Sequence, residues 1–218
     1  STDFGSGMDG SMSLSYGNSD LLGTGISVAA NYYPKLDGTT NNEKGSSTTD
    51  GSNADSATSI NVGIPLASLP VIGDTALGGM KITAGYEESD ARLATGYGKV
   101  GGTVAVNLPI GPLSVGYQKK GYQARADAIA ETNRAFYKDD ILGIAYAVND
   151  SFAISYNLYE SVKHDHSAGN TEQETKAINV AYTVGGLTLA LQDAKTDNAG
   201  WASAVSDDTR TISVKTAF

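Results

Sequence analysis

Lys163-His164-Asp165-His166 is the densest run of chemistry-bearing side chains in this 218-residue sequence. Two imidazoles and a carboxylate ligate divalent metals well, and the same groups can pass protons. The run lies in a polar stretch, 161–173, that reads as a loop, and no rigid element supplies a third ligand. Ser167 is the one serine beside either histidine, and it shares that loop. Covalent catalysis needs a nucleophile and its base held together on rigid elements. The run therefore reads as solvated loop, no metal site is assigned, and the chain is expected not to be an enzyme. Four other charges, Lys81, Glu87, Lys120 and Lys215, sit on extended, alternating segments. What they can do depends on which way those segments face.

The bulk properties narrow the choice. Acidic residues number 24 against 15 basic ones, a formal charge of −9, which disfavours a phosphate-binding surface and excludes nucleic acid as an expected partner. Cysteine is absent, so neither a disulfide framework nor a thiolate metal site is available. The longest apolar run, ILGIAYAV at 141–148, falls far short of the roughly 18 residues of a membrane helix. The sequence opens without a signal-peptide pattern, as a mature chain or a piece of one does.

Nowhere does a helical period appear; the period is two throughout. Met12, Leu14 and Tyr16 alternate with serine and glycine, and the same alternation runs from Ile26 to Tyr32, Ile60 to Ile64, Met80 to Tyr86 and Val104 to Leu108. It returns from Leu113 to Tyr117, Leu142 to Val148, Phe152 to Leu158, Ile178 to Val184, Leu187 to Leu191 and Ile212 to Phe218. That predicts eleven strands, each with one continuous apolar face. Tight spacers (Gly17–Leu21, Pro109–Pro112, Asn149-Asp150, Gly185-Gly186) alternate with long polar ones at 34–57, 88–99, 123–138, 161–173 and about 195–207. Only 66–77 breaks the rule, being long where a short turn is due. One end of an up-and-down sheet is trimmed and the other elaborated.

The two faces differ in kind. One carries Ser27, Ala29, Asn31, Thr103, Ala105, Asn107, Ala153, Ser155, Asn157, Ala177, Asn179 and Ala181, small side chains that suit a water-filled lumen. The other is sorted by height. Tyr16, Tyr146, Phe152, Tyr182 and Phe218 fall near the short-turn end, Tyr32, Tyr86, Tyr117 and Tyr156 near the long-loop end, and only uncharged Val, Ile, Leu, Met and Ala lie between. An aliphatic belt between two aromatic girdles matches about 25 Å of lipid crossed by tilted strands of about 10 residues. The prediction is an all-β protein: a single transmembrane, antiparallel, up-and-down β-barrel domain over 1–218. Lys81, Glu87, Lys120 and Lys215 then point into the pore.

The terminal TRTISVKTAF, the strands YNLYESV and INVAYTVGGLTLAL with their two-residue turns, and the Gly/Asn/Asp-rich loops resemble the general diffusion porins of Gram-negative bacteria across the whole chain. The resemblance implies a homotrimer of sixteen-stranded barrels in the bacterial outer membrane, with the third outer loop folded inward to narrow the pore. With 208–218 as the sixteenth strand, 10–17 becomes the sixth and 1–9 the end of that constriction loop. Asp3 and Asp9 then match its acidic side by position. Matching the pattern takes five further strands upstream, on the order of 100 residues, so the chain is expected to lack the N-terminal part of its barrel.

The expected function is passive diffusion of ions and small hydrophilic solutes, with Asp3, Asp9, Lys81, Glu87, Lys120 and Lys215 setting ion preference and cations weakly favoured. The alternative is a non-conducting barrel that serves as an adhesin, a surface receptor or a platform for a membrane enzyme. No cofactor is expected. The acidic loops 37–55 and 197–208 either bind divalent cations such as calcium that bridge lipopolysaccharide or, as preferred, simply keep the mouth wet. Membrane lipid and lipopolysaccharide are the expected surroundings. Trp201, in the last outer loop, either anchors that loop at the headgroups or packs it.

Overall fold

Extended chain with small polar side chains on one face and apolar ones on the other forms sheet that buries neither face against a second layer. A computed structural model describes residues 14–33, 54–69, 75, 77–91, 98–125, 135–165 and 169–216. Eleven strands form one sheet: β1 Leu14–Asn18, β2 Ser27–Tyr33, β3 Ala54–Pro65, β4 Lys81–Ala91, β5 Gly98–Ile110, β6 Leu113–Arg125, β7 Ala135–Asn149, β8 Phe152–Asp165, β9 Gly169–Val184, β10 Leu187–Asp197 and β11 Ser206–Thr216. Each strand pairs antiparallel with its neighbours in sequence, so the sheet order is the chain order. β1 and β11 are its edges among the described residues.

Alternation decides which way each side chain points. Among the described residues only Ala57, Leu66 and Ala177 are buried apolar side chains, whereas Val104, Ile144, Ile154, Ile178, Leu189 and Val214 are exposed. A soluble sandwich would bury that second set in a shared core. The apolar face is instead the outer surface. The opposite face is knitted by side chains on adjacent strands: Asn31 Nδ2 donates to Ser59 Oγ (3.1 Å), Gln118 Nε2 to Thr103 Oγ1 (2.8 Å) and Asn179 Nδ2 to Ser155 Oγ (3.3 Å).

The short-turn end follows local chemistry. Gly185 and Gly186 both take left-handed φ, +55° and +81°, the requirement of a two-residue type I′ hairpin. Replacing Gly186 by Val is expected to cost roughly 1–2 kcal/mol, the penalty of a left-handed conformation for a side chain with Cβ; a denaturant midpoint measured in lipid checks it. At the β7–β8 turn Asn149 Oδ1 accepts the amides of Ser151 and Phe152, both at 2.9 Å. The β1–β2 connection is longer than the expected tight turn over 17–21. It runs from 19 to 26 through a 3-10 turn at Leu21–Gly23, and Asp20 Oδ1 accepts the Gly25 amide at 2.6 Å. The long exception at 66–77 is real: a 3-10 turn at Leu66–Ser68 follows β3, and the Leu66 amide bonds the Met80 carbonyl at 2.8 Å.

The other end corrects the predicted spacers. Residues 161–173 are mostly strand, because β8 continues to Asp165 and β9 starts at Gly169. β7, β8 and β9 hold 15, 14 and 16 residues, several more than the roughly 10 a lipid crossing takes. The excess stands above the upper tyrosines as a polar wall.

Candidate pore lining

The girdle tyrosines stand where the alternation puts them. Tyr16, Tyr32, Tyr86, Tyr117, Tyr146, Tyr156 and Tyr182 are exposed on the apolar face, Phe152 is half-buried there, and Phe152 pairs directly with Tyr182. Phe218 lies outside the described residues. Charges on this face begin at the height of the upper tyrosines: Tyr86 donates to Glu88 (2.7 Å), Tyr117 to Asp140, and Arg210 Nε to Asp193 (2.8 Å). Below that level the outer face carries no charge among the described residues.

On the inner face, Lys81 lies beside Gly63 and Ser27, since a Cβ built on Gly63 would sit 3.1 Å from Lys81 Cε and 2.5 Å from Ser27 Oγ. Glu87 pairs in register with Ser59, and Lys215 with Thr188 on β10. These three carriers of charge are spread over the wall rather than gathered at one point. Asp3 and Asp9 lie outside the described residues.

Lys120 lies on the face of the small polar side chains, in register with Asp139, and is not an isolated charge. Its Nζ lies 3.1 Å from Asp139 Oδ2 on β7, and Asp139 is only 2% exposed. Ser161 of β8, fully buried, donates to Asp139 Oδ1 at 2.5 Å and accepts a 3.2 Å hydrogen bond from Trp201 Nε1. A chain of polar contacts thus crosses three strands and ends on the β10–β11 loop. Aromatic rings surround it. Tyr122 and Tyr137 stack at 4.6 Å, the Tyr137 and Trp201 rings lie 4.8 Å apart, and Lys120 Nζ sits 5.7 Å from the Tyr159 ring centre.

Tyr137 and Ser161 fall in stretches, 123–138 and 161–173, that read as loops, and Asp139 precedes the apolar alternation that starts at Leu142. Carrying the period of two upward from Leu142 would have found Asp139 facing inward and Asp140 outward. The same alternation dismantles the 163–166 run, of which His166 lies outside the described residues. Lys163 and Asp165 share the inner face 3.8 Å apart, while His164 is turned to the outer face, where Nδ1 meets Asn170 Oδ1 at 3.0 Å and the ring lies 5.9 Å from Phe136. Imidazole and carboxylate therefore diverge. No group of three or more His, Cys, Asp or Glu that could hold a metal occurs among the described residues. Of the acidic loops, most of 37–55 lies outside them, and Asp197 is paired with Lys195 at 3.4 Å.

No protein-family model and no curated protein sequence matches the chain. Solved structures do. OmpT, an outer membrane protein of Vibrio cholerae, in its trimer form, superposes with a TM-score of 0.61 at 12% identity, over 93% of this chain and 61% of that one. The same protein expressed in the outer membrane gives 0.62 at 12% identity, over 91% and 61%. A porin gives 0.59 at 12% identity, over 93% and 60%. The chain thus spans about 60% of the length of the structures it matches. At this identity the likeness carries the fold alone, and that fold is the antiparallel, up-and-down β-sheet of outer-membrane β-barrels.

Proposed function

We propose that this chain forms the wall of a bacterial outer-membrane channel through which ions and small hydrophilic solutes diffuse passively, with the barrel working as a homotrimer. The observation that carries the reading is the inner face. Its mid-height side chains are mostly Ser, Thr, Asn, Gln, Gly and Ala, several bonded to the adjacent strand, so they hold a polar surface and leave the space beyond it to water. A barrel that served only as a platform would fill its interior with bulky side chains. No catalytic group is needed, because wall hydroxyls and amides replace part of a solute's hydration shell as it passes.

Fixed charges modulate the passage. Lys120 is offset by Asp139 and Lys163 by Asp165, while Lys81 and Lys215 on the wall act with the acidic loops at the mouth. Within a Debye length of about 8 Å those loops concentrate cations. The intact protein, purified from membranes and reconstituted into a planar bilayer, is expected to give stepwise conductance with a mild cation preference, read as the reversal potential across a salt gradient. Folded protein that never conducts would overturn the channel reading.

A further inference from the structure

The β10–β11 loop, residues 198–205, does not stay over its own hairpin. Trp201 reaches Ser161 on β8 and Tyr137 on β7. From β10 to β7 is three inter-strand steps, about 14 Å at the spacing of paired strands. The side chains it bonds or stacks on belong to the inner face. Gln173 Oε1 on β9 accepts the Gly200 amide at 2.8 Å, and Gln173, Ser161 and Tyr137 all alternate with residues that point outward. A headgroup anchor would find its partners on the opposite face.

The loop is also built to hold that course. Trp201 and Ala204 take left-handed φ of +57° and +63°, conformations rare for such side chains and a mark of segments whose shape is imposed by their surroundings, and Asn198, a residue that adopts it readily, joins them at +53°. The surroundings are specific. The Ala199 amide bonds the Val205 carbonyl at 2.8 Å, Asn198 Oδ1 accepts the Ala204 amide at 3.0 Å, and Asn198 Nδ2 donates to the Glu172 carbonyl at 2.9 Å. The Trp201 indole N–H ends on a hydroxyl that is itself fully buried.

We propose that 198–205 is a constricting loop of the channel and that Trp201 determines the cross-section of the solutes it admits. The inference rests on the channel reading above. Because Lys120 and Asp139 offset each other beside it and the side chains it meets, Ser161, Gln173 and Tyr137, carry no charge, this narrowing sorts compact hydrophilic solutes by size, not by sign of charge.

Trp201 is the single tryptophan of these 218 residues, so with any tryptophan elsewhere in the full protein replaced by Phe its fluorescence reports on the loop directly. In lipid vesicles it is expected to resist quenchers carried on the lipid chains or headgroups; strong quenching by either would place it on the outer face and overturn the proposal. Single-channel conductance and liposome swelling with sugars of rising size supply the second readout. Trp201→Ala, and a variant in which 198–205 is replaced by a two-residue Asn-Gly turn that the β10–β11 register accepts, are expected to conduct more and to admit sugars the parent excludes. A conducting parent with unchanged conductance and size limit in the folded variants overturns the loop's role and leaves the channel standing. A folded parent that does not conduct overturns the channel reading, and the loop's role with it.

Discussion

Lysine placed at Val180 or Ile154 is expected to cost roughly 2–4 kcal/mol of folding stability, while lysine at Asn179 or Ser155 costs well under half of that. The four positions are neighbours. Ile154 pairs with Val180 and Ser155 with Asn179 in the same ladder, so backbone environment and distance from the strand ends are matched. Only the face differs. Val180 and Ile154 belong to the uncharged belt, where an ammonium group has to be drawn out of lipid. Ser155 and Asn179 bond each other across the inner face at 3.3 Å, and a lysine there gives up one polar contact while its ammonium stays in water. Urea titration of the four variants in lipid vesicles reads the difference. Equal losses at all four would mean that the faces are misassigned.

Asp139→Ala is expected to cost about 2–3 kcal/mol, below the full penalty of breaking a wholly buried pair because Lys120 keeps 30% of its surface in water. The loss has two sources: an ammonium without its counter-charge, and the buried Ser161 hydroxyl without its acceptor. Asp140 is the internal control. It lies one residue on, faces outward, is 33% exposed and accepts from Tyr117 and Lys119, so Asp140→Ala is expected to cost under about 1 kcal/mol. Asp139→Ala/Lys120→Met should recover part of the first loss, since it removes both charges together. The single variant should also move the reversal potential toward anions, whereas the double variant should not. Asp139→Ala as mild as Asp140→Ala would show that the inner ion pair does not hold the wall.

Hydropathy made the fold legible where the environment itself is two-faced. From Leu142 to Val148 and from Ile178 to Val184 one side meets apolar surroundings and the other water, so the period of two is written in the residue types. Above the upper tyrosines both faces are polar, and β8 and β9 continue through VKHD and GNTEQETK with the alternation intact in direction but absent from composition. That is why Lys163, His164 and Asp165 read as loop residues able to converge, and why Asp139, ahead of the apolar alternation that starts at Leu142, carries no facial signal in its composition. The Lys120–Asp139–Ser161–Trp201 chain was illegible for another reason. It joins positions 81 residues apart in sequence, from 120 to 201, and only the register of β6 through β9 brings them together. The β1–β2 connection shows the limit of turn composition: Gly17 is compatible with a tight turn, but Asp20 caps a longer one.

The near absence of a buried apolar core has a consequence for the life of the chain before it reaches lipid. Its mean hydropathy is −0.21, because most apolar residues of the belt are separated from the next by a polar or small one. No apolar run in these 218 residues is longer than the eight of ILGIAYAV, 141–148, so a wide apolar surface forms only when neighbouring strands lie side by side. The unfolded chain can therefore cross an aqueous compartment without being captured by the first bilayer it meets, and it becomes a membrane protein only as its ladder forms. Strand pairing and entry into lipid are, for such a sequence, a single event, so whatever escorts the chain must delay the pairing of strands rather than shield a hydrophobic segment.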